Sequence, residues 1–206
     1  VNISDSNLKL FQKLSLFSLS QTQIENIVRT NSTSFRKQID KNDIIKNPYL
    51  LCETYRGPEK TDLDELITDK KIGTFTIDIG MFPDPNYLGR NKAVQNLDVS
   101  HPYRLRAVIS DHLKSLENDG DCYAVLDDIL KMLKDYPLFY RPEDELLIDK
   151  NKLASVKYID HFKERLEVID KKFFYLTEIK KAEDLIKTTI QKLLERDDHK
   201  TTVDDL

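Results

Sequence analysis

Apolar side chains return every three or four residues along most of this chain, and that period commits it to helices. The clearest run is His101–Glu117, where Leu105, Val108, Ile109, Leu113 and Leu116 form one stripe behind a Ser100 N-cap and a first-turn Pro102. Leu8, Phe11 and Leu14, then Ile24, Ile27 and Val28, repeat the spacing on two shorter segments. Phe17-Ser18-Leu19-Ser20 joins these two, with Ser20 placed to cap a helix over Gln21–Arg29. Five glycines in 206 residues leave few positions that break such a pattern, so the expected fold class is mainly α.

The remaining segments are punctuated by proline, glycine and capping residues. Phe35 to Ile45 predicts a short helix ended by Asn47-Pro48, because a residue before proline avoids the helical region, and Pro48 to Cys52 can restart one. Gly57–Lys70 is a polar, acidic insert. Ile72 to Gly80 allows two readings, a strand of alternating β-branched residues or a helix after a glycine turn with residues 72, 75, 76 and 79 on one side. Pro83, Pro85, Asn86 and Gly89 mark a loop between two halves.

In the second half, Asn118-Asp119-Gly120 closes the long helix, and Cys122 to Val125 is short and extended. A second helix is expected over Leu126–Leu133. A third is expected over Lys152–Arg165, burying Leu153, Val156, Ile159 and Phe162. Leu166-Glu167-Val168-Ile169 and Phe173-Phe174-Tyr175-Leu176 flank Asp170-Lys171-Lys172 as a β-hairpin. Helix, short strand, helix, helix, hairpin is the order of a winged-helix domain. Glu178–Arg196 then reads as a long amphipathic helix with a polar tail from Asp197.

Several function classes find no signature here. There is no phosphate loop of the GxxxxGK[ST] type, no GxSxG elbow and no HExxH among His101, His112, His161 and His199. Asp119, Asp121, Asp127 and Asp128 do not have the spacing of a calcium loop, so no metal site is expected. The chain by itself carries no enzyme signature and no cofactor. No apolar run approaches the roughly 18 residues that cross a bilayer, so no membrane partner is expected. Two cysteines, Cys52 and Cys122, suit a reducing compartment, and the expected location is cytoplasmic.

The net charge is −4, with a net of +3 over residues 1–60 and −7 over residues 61–150. A free-standing nucleic-acid binder usually carries a basic excess, so DNA contact by this chain alone is expected to be weak. Arg29, Arg36, Lys37, Lys41 and Lys46 are either phosphate contacts or a solvated helical surface.

The chain resembles, over about residues 10–196, the region that precedes the motor in RecD-like superfamily 1 DNA helicases, the exodeoxyribonuclease V alpha-subunit-like proteins. Phe17-Ser18-Leu19-Ser20 with Ile24 and Ile27 is similar to that family's GLS element and following helix. Asn47-Pro48-Tyr49-Leu50-Leu51 resembles its Asn-Pro-Tyr-x-Leu signature. Ile72 to Ile79 is similar to its Gly-Ile-Gly-Phe-x-x-Ala-Asp-x-Ile hairpin. Tyr103-Arg104-Leu105-Arg106-Ala107 with Gly120-Asp121 resembles its Arg-Ile-x-Ala helix and the Gly-His after it, and Phe174-Tyr175-Leu176 its closing strand. Lys71 stands where the family has the first hairpin glycine, and Ser18 replaces the glycine of the earlier element.

The resemblance implies a helix-hairpin-helix-like helical region over residues 1–98, a winged-helix-like domain over 99–176, and a C-terminal helix over 177–206 leading toward a motor domain outside this chain. It implies a DNA-engaging, regulatory fragment of an ATP-dependent helicase. ATP and Mg²⁺ would belong to the parent, and the partners would be DNA, the motor and possible partner subunits. A winged-helix transcription regulator or protein-interaction module is the alternative.

The candidate DNA-contacting residues are Lys71, Gly73, Thr74, Arg104, Arg106, Lys157, Lys171 and Lys172. Lys71, Gly73 and Thr74 either hold a phosphate or form an ordinary turn. Arg104 and Arg106 either reach DNA or cover their own helix with apolar stems. Lys157 shares the third helix, the recognition helix of a winged helix, with Lys152 and Lys163, and Lys171 and Lys172 occupy the wing tip. Tyr136, Phe139 and Tyr140 either stack on bases or pack inward.

Overall fold

The structure is a computed structural model, and it describes residues 4–29, 34–35, 38–57, 71–83, 97–138 and 148–195. The insert at 58–70, the loop residues Pro85, Asn86 and Gly89, and Arg36, Lys37, Phe139, Tyr140 and the tail from Asp197 lie outside the described residues. Among those described are ten helices and three strands, and the protein is mainly helical with one small sheet.

The amino-terminal half is built from short, individually capped helices. Ser4 caps α1 (Asp5–Leu14) by accepting from the Asn7 amide. Ser20 and Gln23 form a reciprocal capping box on α2 (Gln21–Arg29): the Ser20 hydroxyl accepts from Gln23 N at 3.2 Å, and Gln23 Oε1 accepts from Ser20 N at 3.0 Å. The helix expected from Phe35 begins only at α3 (Lys41–Lys46), because Asp40 is extended and its carboxylate caps Asn42 N. Phe35 instead forms an antiparallel bridge with Tyr55, their rings edge-to-face at 5.5 Å. All five residues of α4 (Leu50–Thr54) are buried.

Ile72 to Gly80 resolves as a helix, α5 (Thr74–Met81), with Gly73 as its N-cap. Its buried face is Thr74, Ile77, Asp78 and Met81, and Phe75 points outward, so the stripe expected through residues 72, 75, 76 and 79 is not the packed one. Gly80 is required by a close approach. A Cβ there would lie 2.2 Å from Leu16 O and 2.6 Å from the Phe17 ring. These helices enclose one core, centred on Leu10, Leu14, Ile27, Tyr49, Leu51 and Ile77.

The long helix is α6 (Pro102–Asn118), and its cap is His101. Ser100 lies one residue before the cap, where its amide and hydroxyl donate to Asp98 and its hydroxyl oxygen accepts from Lys152 Nζ. Gly120, at φ +95°, turns the chain out of the helix. Then follow β1 (Tyr123–Val125), α7 (Leu126–Asp135), α8 (Lys150–Leu153), α9 (Val156–Phe162), β2 (Leu166–Ile169), β3 (Phe173–Leu176) and α10 (Thr177–Glu195). The single helix expected over Lys152–Arg165 is broken at Ala154-Ser155, where Ser155 adopts an extended conformation. The break turns Val156 outward (69% exposed), and Leu153, Tyr158 and Phe162 fill the core in its place.

The sheet is antiparallel, in the order β1-β3-β2, with Leu166 opposite Leu176 and Tyr123 opposite Tyr175. It closes a second core with Leu105, Val108, Ile109, Leu113, Phe162 and Phe174. Helix α6 belongs to both cores: Ala107 and Tyr103 pack in the first, Leu105 and Val108 in the second. That position explains why every residue from Arg104 to Ser110 is buried. No helix among the described residues is long and apolar enough to cross a membrane.

Candidate nucleic-acid interface

Two of the candidate DNA-contacting residues cannot reach DNA. Arg104 and Arg106 are each 1% exposed, and both are consumed by carboxylates of the amino-terminal half. Arg104 lies against Asp78 with Nε 3.0 and 3.1 Å from the two oxygens and Nη2 2.7 Å from Oδ2. Its Nη1 donates to Val99 O, and the Phe82 and Tyr136 rings lie 5.7 and 5.6 Å from the guanidinium. The Tyr49 hydroxyl donates to Asp78 Oδ1 at 2.7 Å. Burial and the Asp78 charge raise the Tyr49 pKa well above its ordinary value, which keeps that hydroxyl a donor.

Arg106 reaches the other way. Its Nε and Nη2 donate to the two Glu53 oxygens at 2.7 and 3.0 Å, and Nη1 donates to Glu164 Oε2 and to His161 O, both at 2.7 Å. Burial disfavours its charge, but Glu53 and then Glu164 outweigh burial and hold the group more basic than an ordinary arginine. Four of its five N–H groups are held by these acceptors, and with only 1% of its surface exposed Arg106 presents none of them to a phosphate.

The turn at Lys71-Ile72-Gly73-Thr74 is likewise closed by an acid. Thr74 is buried and its hydroxyl donates to Asp111 Oδ2 at 2.9 Å, while the half-exposed Lys71 ammonium lies 3.4 Å from Asp111 Oδ1. A carboxylate from α6 thus already engages both side-chain donors of this turn. Gly73 has an ordinary extended backbone, φ −78° and ψ 155°, and a Cβ built on it would meet nothing within 4 Å. The close backbone approach that gives hairpin glycines their role is therefore not needed at this position.

The lysines of the carboxyl half are placed differently. Lys157 is exposed on α9, and Lys171 and Lys172 are exposed at the tip joining β2 to β3. Asp170 and Lys171 both have φ +53°, and the turn closes with Lys172 N donating to Ile169 O at 3.0 Å, as a type I′ hairpin turn requires. The Leu126 amide donates to Lys172 O at 2.8 Å, which ties the tip to the start of α7. Lys172 Nζ also lies 5.2 Å from the Phe173 ring. Lys163 is paired with Asp160 at 2.7 Å, and Lys152 donates to Ser100 Oγ, so both are partly engaged. Lys157 lies in the first turn of α9, and the tip lysines follow the far end of the four-residue β2.

The buried networks were not anticipated from sequence. Their signals were Asp78 among the apolar residues Phe75, Ile77 and Ile79, Arg104 just before Leu105, and Arg106 inside the run Leu105–Ile109. A charge flanked by core residues on both sides must find a counter-charge or leave the core. Among the described residues no group of three His, Cys, Asp or Glu side chains is placed to hold a metal ion. Comparison of the chain with protein-family models, with curated proteins and with solved structures finds no match.

Proposed function

We propose that this chain is the DNA-engaging, regulatory region of a RecD-like ATP-dependent DNA helicase, with the motor elsewhere in the parent. One observation carries the reading. Three of the segments on which the resemblance rests, Asn47–Leu51, Ile72–Ile79 and Tyr103–Ala107, are far apart in sequence yet supply the three members of one buried cluster, Tyr49, Asp78 and Arg104. Unrelated short matches have no reason to meet in space.

In this reading the carboxyl half is a winged helix. Its element order and its β1-β3-β2 sheet support that, with α8 and α9 as a broken recognition helix and the β2–β3 hairpin as the wing. The amino-terminal helices are a scaffold derived from helix-hairpin-helix units, with Asp111 holding the Lys71 and Thr74 donors. DNA contact falls to Lys157, Lys171 and Lys172. ATP and Mg²⁺ are handled by the motor, and the compartment is the cytoplasm.

The test is a fluorescence-anisotropy titration with forked DNA over a range of salt. Weak binding that falls steeply with salt is expected. Replacing Lys157, Lys171 and Lys172 by Gln should flatten the log–log slope by about 0.9 for each duplex phosphate that the variant no longer neutralises. Binding that is absent at low salt, or insensitive to those three changes, removes the DNA role.

The alternative reading as a protein-interaction or regulator module is favoured by α10, where Leu185, Ile186, Ile190, Leu193 and Leu194 are 47–80% exposed. Light scattering decides it. A stable dimer that disappears on replacing Ile186 and Ile190 by Glu would support that module.

A further inference from the structure

One strand of the sheet is paired on one side only. β1 stands at the margin in the order β1-β3-β2, and among the described residues nothing pairs with its outer side. The Leu126 amide donates to Lys172 O in the same register that sets Tyr123 opposite Tyr175 and Val125 opposite Phe173. Bonded and non-bonded pairs alternate along an antiparallel ladder, so Ala124 turns its backbone groups to β3, and Tyr123 and Val125 turn theirs outward. An open edge of this kind is a template for another strand.

A groove of about 590 Å³ is lined by all three residues of β1 together with α6 and α7. Leu116, Ala124, Val125 and Met132 give it an apolar floor, and the Tyr123 ring, 46% exposed, stands beside them. The charges select the occupant. Asp121, Asp128 and Asp135 line the groove against Lys131 and His112, and none of the three acids is ion-paired among the described residues. Asp127, next to them, is taken by Lys150. Asp135 is the last residue of α7, at the carbonyl end of the helix, where an acid is locally disfavoured. A polyanion is repelled by this lining. So is a second copy of the chain, because pairing two β1 strands about Ala124 would bring Asp121 of each against the Asp127-Asp128 helix start of the other.

We infer that the open edge of β1 and this groove take an extended, basic segment of a partner protein. The segment would add a fourth strand through the outward groups of Tyr123 and Val125. Side chains alternate along a strand, so its apolar residues would cover the floor while lysine or arginine side chains meet Asp121, Asp128 and Asp135. The groove contains none of Lys157, Lys171 and Lys172, so this inference does not rest on the DNA reading.

The test presents the full chain to an array of capped peptides of about eight residues, in which Val, Leu or Tyr alternates with Lys, Arg, Gln or Glu. Peptides carrying Lys or Arg should be retained, and the strongest of them is then titrated by fluorescence anisotropy. Val125→Pro removes one outward N–H and leaves the ladder to β3 intact, since φ at Val125 is −86°, close to the range of proline. It should weaken that peptide about tenfold, and Val125→Ala clearly less. Asp128→Asn with Asp135→Asn should weaken it by a similar factor at low salt and less at high salt. If Val125→Pro does not fold, the wild-type chain titrated with the same peptide N-methylated at alternate residues gives the equivalent reading. Replacing Lys157, Lys171 and Lys172 by Gln should leave peptide binding unchanged. The inference is overturned if no basic peptide is retained, or if acidic peptides bind equally well. It is also overturned if folded Val125→Pro and the N-methylated peptide bind as their parents do, or if light scattering finds a dimer that Val125→Pro abolishes.

Discussion

Replacing Arg104 by Met tests whether the Arg104–Asp78 pair is what locks α5 onto α6. Methionine keeps the length of the apolar stem and removes every hydrogen bond of the guanidinium: three to the Asp78 oxygens at 2.7–3.1 Å and one to Val99 O at 3.2 Å. Asp78, with a fully buried side chain, is then left with only the Tyr49 hydroxyl as a donor among these partners. Stranding a buried charge in this way costs about 3–5 kcal/mol, against a total stability of about 5–15 kcal/mol. For a chain of this size each kcal/mol moves the midpoint by about 2–4 °C, so a drop of roughly 6–20 °C is expected. The decisive arm is the double variant Arg104→Met with Asp78→Asn. It removes both charges, and the amide oxygen still accepts from Tyr49. Most of the loss should be regained, giving a coupling energy of about 2 kcal/mol or more. Urea denaturation followed by circular dichroism at fixed pH measures all four corners of the cycle. A loss below about 1 kcal/mol for Arg104→Met, or single effects that simply add in the double variant, would show that the pair does not hold these helices together.

Three further outcomes follow from packing and capping. Gly80→Ala should destabilise by about 1–3 kcal/mol because its Cβ would collide with Leu16 O, whereas Gly73→Ser, with open space around it, should be neutral or slightly stabilising; thermal unfolding compares them. Lys13 is buried with an unpartnered ammonium whose pKa burial lowers, so Lys13→Met should stabilise by about 1–3 kcal/mol in urea titrations at neutral pH. The His101 cap works only while Nδ1 is unprotonated and accepts from Tyr103 N. Burial first, then His161 and Lys157, lower its pKa below 6.5, with Asp98 opposing. The cap is therefore intact above 6.5 and is lost as pH falls through the lowered value. The loss is worth at most about 1 kcal/mol, and His101→Asn should abolish that part of the slope between ~pH 7.5 and ~pH 5.

The sequence makes local structure legible wherever one residue decides it. Ser20 announces α2, Pro102 the start of α6, and Asp170-Lys171-Lys172 between two apolar runs the hairpin. Local reading fails where the deciding partner is remote. Ser100 looks like the natural cap, but the helix is capped by His101 and the Ser100 hydroxyl bridges Asp98 and the remote Lys152. Arg104 and Arg106 look like surface cations because their carboxylates lie 26 and 53 residues earlier. The break at Ser155 has no proline or glycine to mark it, and Phe35 leaves its expected helix for a bridge to Tyr55. The candidate site splits along the same line. Exposed lysines in a hairpin turn are visible in sequence, whereas an acid from another helix engaging the donors of a turn is not.

Helix α6 also determines how the molecule responds to load. Through Arg104 it grips α5, and through Arg106 it grips α4 on one side and the segment after α9 on the other. A pull or twist applied at the hairpin tip would reach α6 through the sheet and pass to the amino-terminal helices across desolvated ion pairs. The two halves would turn together as one lever, and severing them ahead of Pro102 would leave α6 carrying two arginine charges without their amino-terminal carboxylates.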